Sequence, residues 1–244
     1  AGADTEPEAD NVPLREQWVK WESQPDGRQR GTLKPPETPV FTASGLKGAL
    51  AHRLAFHYNR LSGCFADDIA LEQFATWTKE RQNEAVRAVF GCVKGSDASV
   101  AGPGGWAGHL WLGEARLAAQ VGRRIKHNSI DRLDGGSINT ALFDEEVLAR
   151  TEMDGSPVAI EIPFELDWGG VRRAAKALLS ERKQPTAPDM PEPEEQIDSA
   201  ALAKVLRDIA RALTLTIEDL LGERLDVGGG SRAGHGYFEG ADMY

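Results

Sequence analysis

Cysteine is scarce. Cys64 and Cys92 are the only two in 244 residues, both lie in apolar surroundings, and neither belongs to a Cys-x-x-Cys pair. This excludes a disulfide-stapled scaffold, argues against a structural zinc site, and fits a reducing cytoplasm. Long apolar runs are missing too: none approaches the ~20 residues that span a bilayer, so no membrane partner is expected. The first residues carry neither a basic stretch nor an apolar core, and so nothing marks them for secretion. Positive charge is also in deficit. The formal net charge is −10, which taken as a sum speaks against a nucleic-acid partner.

The distribution of charge weakens that objection. Residues 1–10 hold four acids and no base, and residues 189–198 hold five acids and no base. Without them the remainder is close to neutral and carries basic clusters: Arg53 with Arg60, Arg123-Arg-Ile-Lys126-His127, and Arg172-Arg173 with Lys176. Such stripes suit a phosphate backbone, although on a helix they equally suit a solvated face. Apolar residues at 41% and charged residues at 27% describe a globular chain, long enough to bury a real core. One elaborated domain over 1–244 is expected.

The densest local signal is Asp226-Val-Gly-Gly-Gly-Ser-Arg-Ala-Gly-His-Gly-Tyr-Phe, with five glycines in nine residues. Glycine at this density suits a backbone that needs positive φ or close approach. The successive amides of Gly229, Gly230 and Ser231, with the side chains of Ser231, Arg232 and His235, make a candidate anion cradle. It is neither a Walker loop nor a dinucleotide fingerprint, because a helix precedes it. A plain hairpin and a phosphate loop, including one for a small phosphorylated ligand, both remain open.

In chain order, residues 1–43 contain six prolines and no sustained period, and read as a long loop holding Trp18 and Trp21. Ala1-Gly-Ala-Asp reads as the end of a strand-to-loop transition, so a first strand is expected upstream. From Ser44, an N-cap candidate, Leu46, Leu50, Leu54, His57 and Leu61 recur at helical spacing. Ser44 and Lys47 at its start form a second candidate phosphate site, against the alternative of a solvated lysine. His52 and His57 are ~140° apart on the helix, which suits packing or hydrogen bonding rather than a metal pair. A helix over Asp68–Phe90 ends at Gly91, and strands are expected over His109–Leu117, Arg124–Leu133 and Pro157–Leu166. Asp134–Glu146 reads as a turn-rich excursion. A short helix over Val171–Arg182, a Pro/Glu linker at 184–197, and a long helix over Asp198–Leu221 lead to the glycine loop and a closing strand. With a strand upstream the order is β-α-β-β-α-β, which predicts an α+β, ferredoxin-like (RRM-like) core with long loop insertions.

Four blocks together resemble one family. Thr42-Ala-Ser-Gly-Leu-Lys-Gly-Ala-Leu is similar to Pro-Gly-Ser-Ser-Leu-Lys-Gly-x-Leu-Arg, with Thr42, Ala43, Gly45 and Ala51 departing from it and Arg53 a candidate substitute for the missing arginine. Val89-Phe-Gly with Gly108-His-Leu-Trp-Leu-Gly-Glu-Ala is similar to Leu-Phe-Gly and Gly-x-Leu-x-x-x-Asp-Ala, with Glu114 in place of Asp. Ile130-Asp-Arg132-Leu-Asp-Gly with Leu142-Phe-Asp-Glu-Glu is similar to Ile-Asp-Arg-x-Thr-Gly and Leu-Phe-x-x-Glu, and the glycine loop closes the set. The chain thus resembles the RAMP superfamily of CRISPR effector proteins, above all the backbone subunits of type III complexes. The resemblance implies a cytoplasmic ribonucleoprotein subunit that polymerises along a CRISPR guide RNA beside neighbouring RAMP and other effector subunits. It also implies a thumb, to which Gly135–Glu146 is expected to contribute, that disrupts the guide–target duplex. RNA contacts are expected from Ser44, Lys47, Arg53, Arg124, Lys126, Arg132, Gly229, Gly230, Ser231, Arg232 and His235. In such subunits an Asp in a setting roughly of the form Asp-x-Pro-x-x-Arg, from which this chain departs by having its proline one residue later, cuts target RNA, with Mg2+ as the expected cofactor. Asp10-Asn-Val-Pro13-Leu-Arg15 makes Asp10 the candidate, against the alternative of a solvated acidic loop; a catalytically inactive scaffold is the rival reading.

Overall fold

Leu46, Leu50, Leu54, His57 and Tyr58 share one face of a 3.6-residue repeat, and all five are buried on helix α1 (Ala43–Ser62). The computed structural model describes residues 9–17, 19–33, 38–63, 83–92, 105–117, 122–138, 142–148, 151, 155–183, 198–229 and 234–240. It divides the chain into two compact units, Ala1–Thr42 with Gly113–Pro163, and Ala43–Leu112 with Phe164–Tyr244.

The second unit is built on helices. After α1 come α2 (Glu84–Phe90), α3 (Trp168–Lys183) and α4 (Ser199–Leu221). Asn83 caps α2 by accepting from the amides of Ala85 and Val86, and Asp198 caps α4 by accepting from Ala200. Each of these helices packs on two of the others: α1 on α2 and α4, α3 on α2 and α4. Their common core includes Leu54, Val89, Val171 and Ile209, one from each helix and none with any exposed surface. Short strands fringe it. β5 (Gly91–Cys92) pairs with β6 (Trp106–Ala107), and β7 (Leu110–Leu112) pairs with β11 (Phe164–Leu166). Gly91, at φ 84°, turns the end of α2 into β5 where a Cβ would lie 2.5 Å from the Trp106 carbonyl oxygen, so only glycine fits.

The first unit is built on strands. β4 (Thr38–Phe41) lies between β1 (Arg15–Glu16) and β8 (Ala115–Arg116), and Arg116 grips Glu16 across β4 through two hydrogen bonds of 2.5 and 2.9 Å. The Arg116 hydrogen bond holds the Glu16 carboxyl below its ordinary range. β2 (Val19–Ser23) and β3 (Gln29–Leu33) form a hairpin turned at Pro25-Asp26-Gly27. A second hairpin joins β9 (Gly122–His127) to β10 (Phe143–Leu148).

The expected α+β class is the class observed. The described strands are all antiparallel and form one three-stranded and four two-stranded sheets, and a ferredoxin-type four-stranded sheet is not assembled among the described residues. Several boundaries differ from the sequence reading: the single strand expected over His109–Leu117 is two, β7 and β8, in different sheets, and the closing strand is present among the described residues only as a Gly222–Glu239 bridge. The stretch read as loop over 1–43 carries β1 to β4, strands of two to five residues that are too short to show a sustained alternation. The strand read over Arg124–Leu133 ends at His127, because Ile130 bridges Ser137 and closes a local loop. The excursion gives way to β10 at Phe143, and of Pro157–Leu166 only the last three residues are strand. Residues 68–82 of the expected second helix, the 184–197 linker, Cys64 and Trp18 lie outside the described residues.

Substituting Leu54→Ala is expected to lower unfolding free energy by about 2–5 kcal/mol, whereas Leu133→Ala, at a site 97% exposed, is expected to change it by less than about 0.5 kcal/mol. Urea denaturation of the purified proteins checks both.

Candidate nucleic-acid interface

Two groups of candidate residues emerge, one in each unit. In the second unit α1 presents Ser44 and Lys47 in its first turn, both exposed. The Lys47 ammonium lies 6.0 Å from the centre of the Phe90 ring, and no carboxylate pairs with it among the described residues. Six residues further along, a rise of ~9 Å, Arg53 bonds the Asp219 carboxylate through Nε at 2.6 Å and Nη2 at 2.5 Å. Arg53 is therefore bound to a protein carboxylate.

Asp219 lies on the buried face of α4 in line with Ile209, Ala212 and Thr216. Besides Arg53 it receives His57 Nε2 at 2.7 Å and Arg224 Nε at 2.7 Å. Burial pushes the carboxyl up, but the bonds from Arg224, His57 and Arg53 outweigh it and bring its pKa from an ordinary 3.8 down to about 2. Arg224 also caps α4 by donating to the Glu218 carbonyl at 2.9 Å. From there the chain folds back on itself. Glu223 N–H bonds the Phe238 carbonyl, Val227 N–H bonds the Gly236 carbonyl, and Gly240 N–H bonds the Leu221 carbonyl. Beyond this ladder Gly228 and Gly229 are exposed on one strand of the chain and His235 is half-buried on the other. Gly230, Ser231 and Arg232 lie outside the described residues. Asp219 thus ties the base of the loop to the helix that carries Lys47.

In the first unit Asp10 is exposed and its Oδ2 accepts from the Asp144 amide at 2.9 Å. Asn11 forms a parallel bridge to Glu145, so this stretch adds itself to the edge of β10. Arg15 bonds Glu146 at 2.5 Å. Arg124 and Lys126 alternate on β9; Arg124 donates to Asp144 Oδ2 through Nε and Nη2 at 3.0 and 2.5 Å, while Lys126 is exposed. His127 stacks on Phe143 at 4.7 Å and bonds Glu145 at 3.0 Å. Arg132 lies in the exposed turn beyond β9, among Ile130, Leu133, Ile138 and Leu142, all four exposed. The fold therefore brings Asp10, Arg124 and Lys126 to one hairpin and its edge, with Arg132 on the connecting loop. It places Ser44, Lys47 and Arg53 on one helix whose partner leads to the glycine loop.

A model of the RAMP superfamily matches residues 28–239. The chain belongs to the RAMP superfamily. No curated protein matches it. A RAMP protein is a CRISPR-associated RNA-binding subunit. No helix of the described residues is long and apolar enough to cross a membrane. Among the described residues no three His, Cys, Asp or Glu side chains form a group able to hold a metal ion. Asp10 alone supplies a single carboxylate, so the donors fit Mg2+ only if RNA phosphates and waters complete its shell, as this ion commonly requires.

The sequence reading missed Asp219. Its signal was a carboxylate in register with the apolar stripe of α4, where a charge is found only if paired. Because its folded pKa is depressed, Asp219 contributes stability that is fully present above about pH 4 and is lost as pH falls towards 2. The urea midpoint is expected to drop across that window, and less so in Asp219→Asn. At pH 7, Asp219→Ala is expected to cost about 2–4 kcal/mol, since it strands three donors, two of them partly screened by solvent.

Proposed function

We propose that this RAMP protein is a backbone subunit of a type III CRISPR effector complex that holds guide RNA and cuts the paired target RNA with Asp10. The observation that carries the reading is the position of Asp10: a carboxylate fixed at the edge of a hairpin whose neighbouring strand bears Arg124 and Lys126. A basic surface to bind phosphate and a carboxylate to accept a proton are the parts that RNA transesterification needs. In the second unit Lys47, the α1 amides and the glycine loop, including Arg232, supply guide-phosphate contacts. The exposed aliphatic residues Ile130, Leu133, Ile138 and Leu142 suit the thumb that separates guide from target. Asp10 would be the carboxylate nearest a bound Mg2+, which would supply charge neutralisation at the phosphate; the residues of this chain orient the strand and take the proton.

A second reading, an inactive scaffold with the same guide RNA and subunit partners, draws on the same contact. Asp10 Oδ2 occupies the place in the parallel ladder where a main-chain carbonyl would accept from Asp144, so the carboxylate has a structural use without catalysis. Asp10→Asn separates the two, because the amide oxygen keeps that hydrogen bond while removing the base. In the assembled ribonucleoprotein it is expected to slow cutting of matched target RNA by at least ~10²-fold with guide retained; undiminished cutting establishes the scaffold. For the guide contacts, combining Lys47→Ala with Arg232→Ala is expected to lower the slope of log affinity against log salt by about 1.4, from ~0.7 per lost contact on a single strand. An unchanged slope removes these two residues from the interface.

A further inference from the structure

Asp10, Asp144 and Lys126 stand level with one another across three adjacent stretches of chain. Asn11 N–H bonds the Asp144 carbonyl at 3.1 Å, Glu146 N–H bonds the Asn11 carbonyl at 2.8 Å, and one step back the Asp144 amide is taken by Asp10. On the other side of β10, Asp144 is the register partner of Lys126. Alternation along the pleat puts Asp144, Glu146, Arg124 and Lys126 on one face, and Glu146 is taken by Arg15. Of the two cations there, Arg124 is engaged by Asp144 Oδ2 through Nε and Nη2. That leaves Asp144 neutralised and Lys126 exposed, without an ion partner among the described residues. Neighbouring strands lie about 4.8 Å apart, so Asp10 and the strand bearing Lys126 are about two strand widths apart, with β10 and its Asp144–Arg124 ion pair between them; a phosphate reaching both must lie across that ion pair.

The geometry points to Lys126 as a second catalytic residue, an electrostatic clamp on the scissile phosphate of the target strand rather than a guide-backbone contact. The inference rests on the reading of Asp10 as the base. Asp10 takes the proton of the 2′-hydroxyl as its oxygen forms a bond to the adjacent phosphorus. The bond from phosphorus to the 5′-oxygen breaks, and the leaving oxygen takes a proton from water. The products are a 2′,3′-cyclic phosphate and a 5′-hydroxyl, and Asp10 returns its proton to solvent. Lys126 Nζ donates to a non-bridging phosphate oxygen, where negative charge grows as the phosphorus becomes five-coordinate. Arg124 is a positioning residue in this scheme: by holding Asp144 it keeps that carboxylate from capturing the ammonium.

The test is single-turnover cleavage of matched target RNA by the assembled ribonucleoprotein, with guide content and target affinity measured on the same preparations. Lys126→Met is expected to cut about 10²-fold more slowly with target affinity within about threefold of the parent, and Lys126→Arg to recover most of that loss. Ends bearing cyclic phosphate and 5′-hydroxyl are expected throughout. Parent-like cutting by Lys126→Met, while Asp10→Asn is inactive, overturns the role of Lys126 and leaves the reading of Asp10 intact. Parent-like cutting by Asp10→Asn overturns both. A rate loss in Lys126→Met that saturating target abolishes shows an ordinary backbone contact and also overturns the inference. A thermal melt of Lys126→Met matching the parent excludes misfolding as the source of a slow rate.

Discussion

The Asp219 carboxylate gathers donors from two places at once, Arg53 and His57 on α1 and Arg224 beyond the end of α4. A lone carboxylate in that apolar stripe would be driven to neutrality. Three converging donors reverse the balance, and the charge becomes a fixed point between two helices and a loop. The buried leucines supply most of the attraction between α1 and α4, yet apolar contact is non-directional and tolerates sliding. A buried hydrogen-bonded charge does not, because each donor has one place to go. The register of α1 on α4, and with it the base of the glycine loop, is therefore set by polar groups within an apolar interface.

A comparable economy operates in the first unit. Residues 10 and 11 do not form a long strand; they contribute one bridge, two main-chain bonds and one side-chain bond to β10. That is enough to seal a strand edge that would otherwise offer unpaired amides, and it sets Asp10 in the plane of the hairpin. The cations of β9 are then graded by their partners. Arg124 is committed to Asp144, while Lys126 stays exposed. The charge pattern available to a nucleic acid is thus narrower than the basic run in the sequence suggests.

What the sequence made legible follows from physical range. Helices α1, α3 and α4 were readable because a 3.6-residue period runs through each of them, and Asp198 capped α4 where the sequence placed its start. Strands of two to six residues carry too few alternations to be read singly, so β1 to β4 passed for loop and the strand after Phe143 passed for an excursion. The family was legible because four short blocks recur in order. Partnerships distant in sequence were not: nothing near Arg53 discloses a carboxylate partner 166 positions later. Arg124 and Asp144, only 20 apart, became a pair only once the hairpin register was fixed.

Strands β2 and β3 have every residue exposed, and Trp21 leans over Gly31, whose Cβ, were there one, would sit 3.2 Å from the indole. A two-stranded ribbon without a packed face is marginal by itself in water. Its amides should consequently trade protons with solvent almost as freely as an unfolded peptide while those of α1 and α4 stay protected, making residues 19–33 the part of the first unit whose order is borrowed from whatever the indole comes to rest upon.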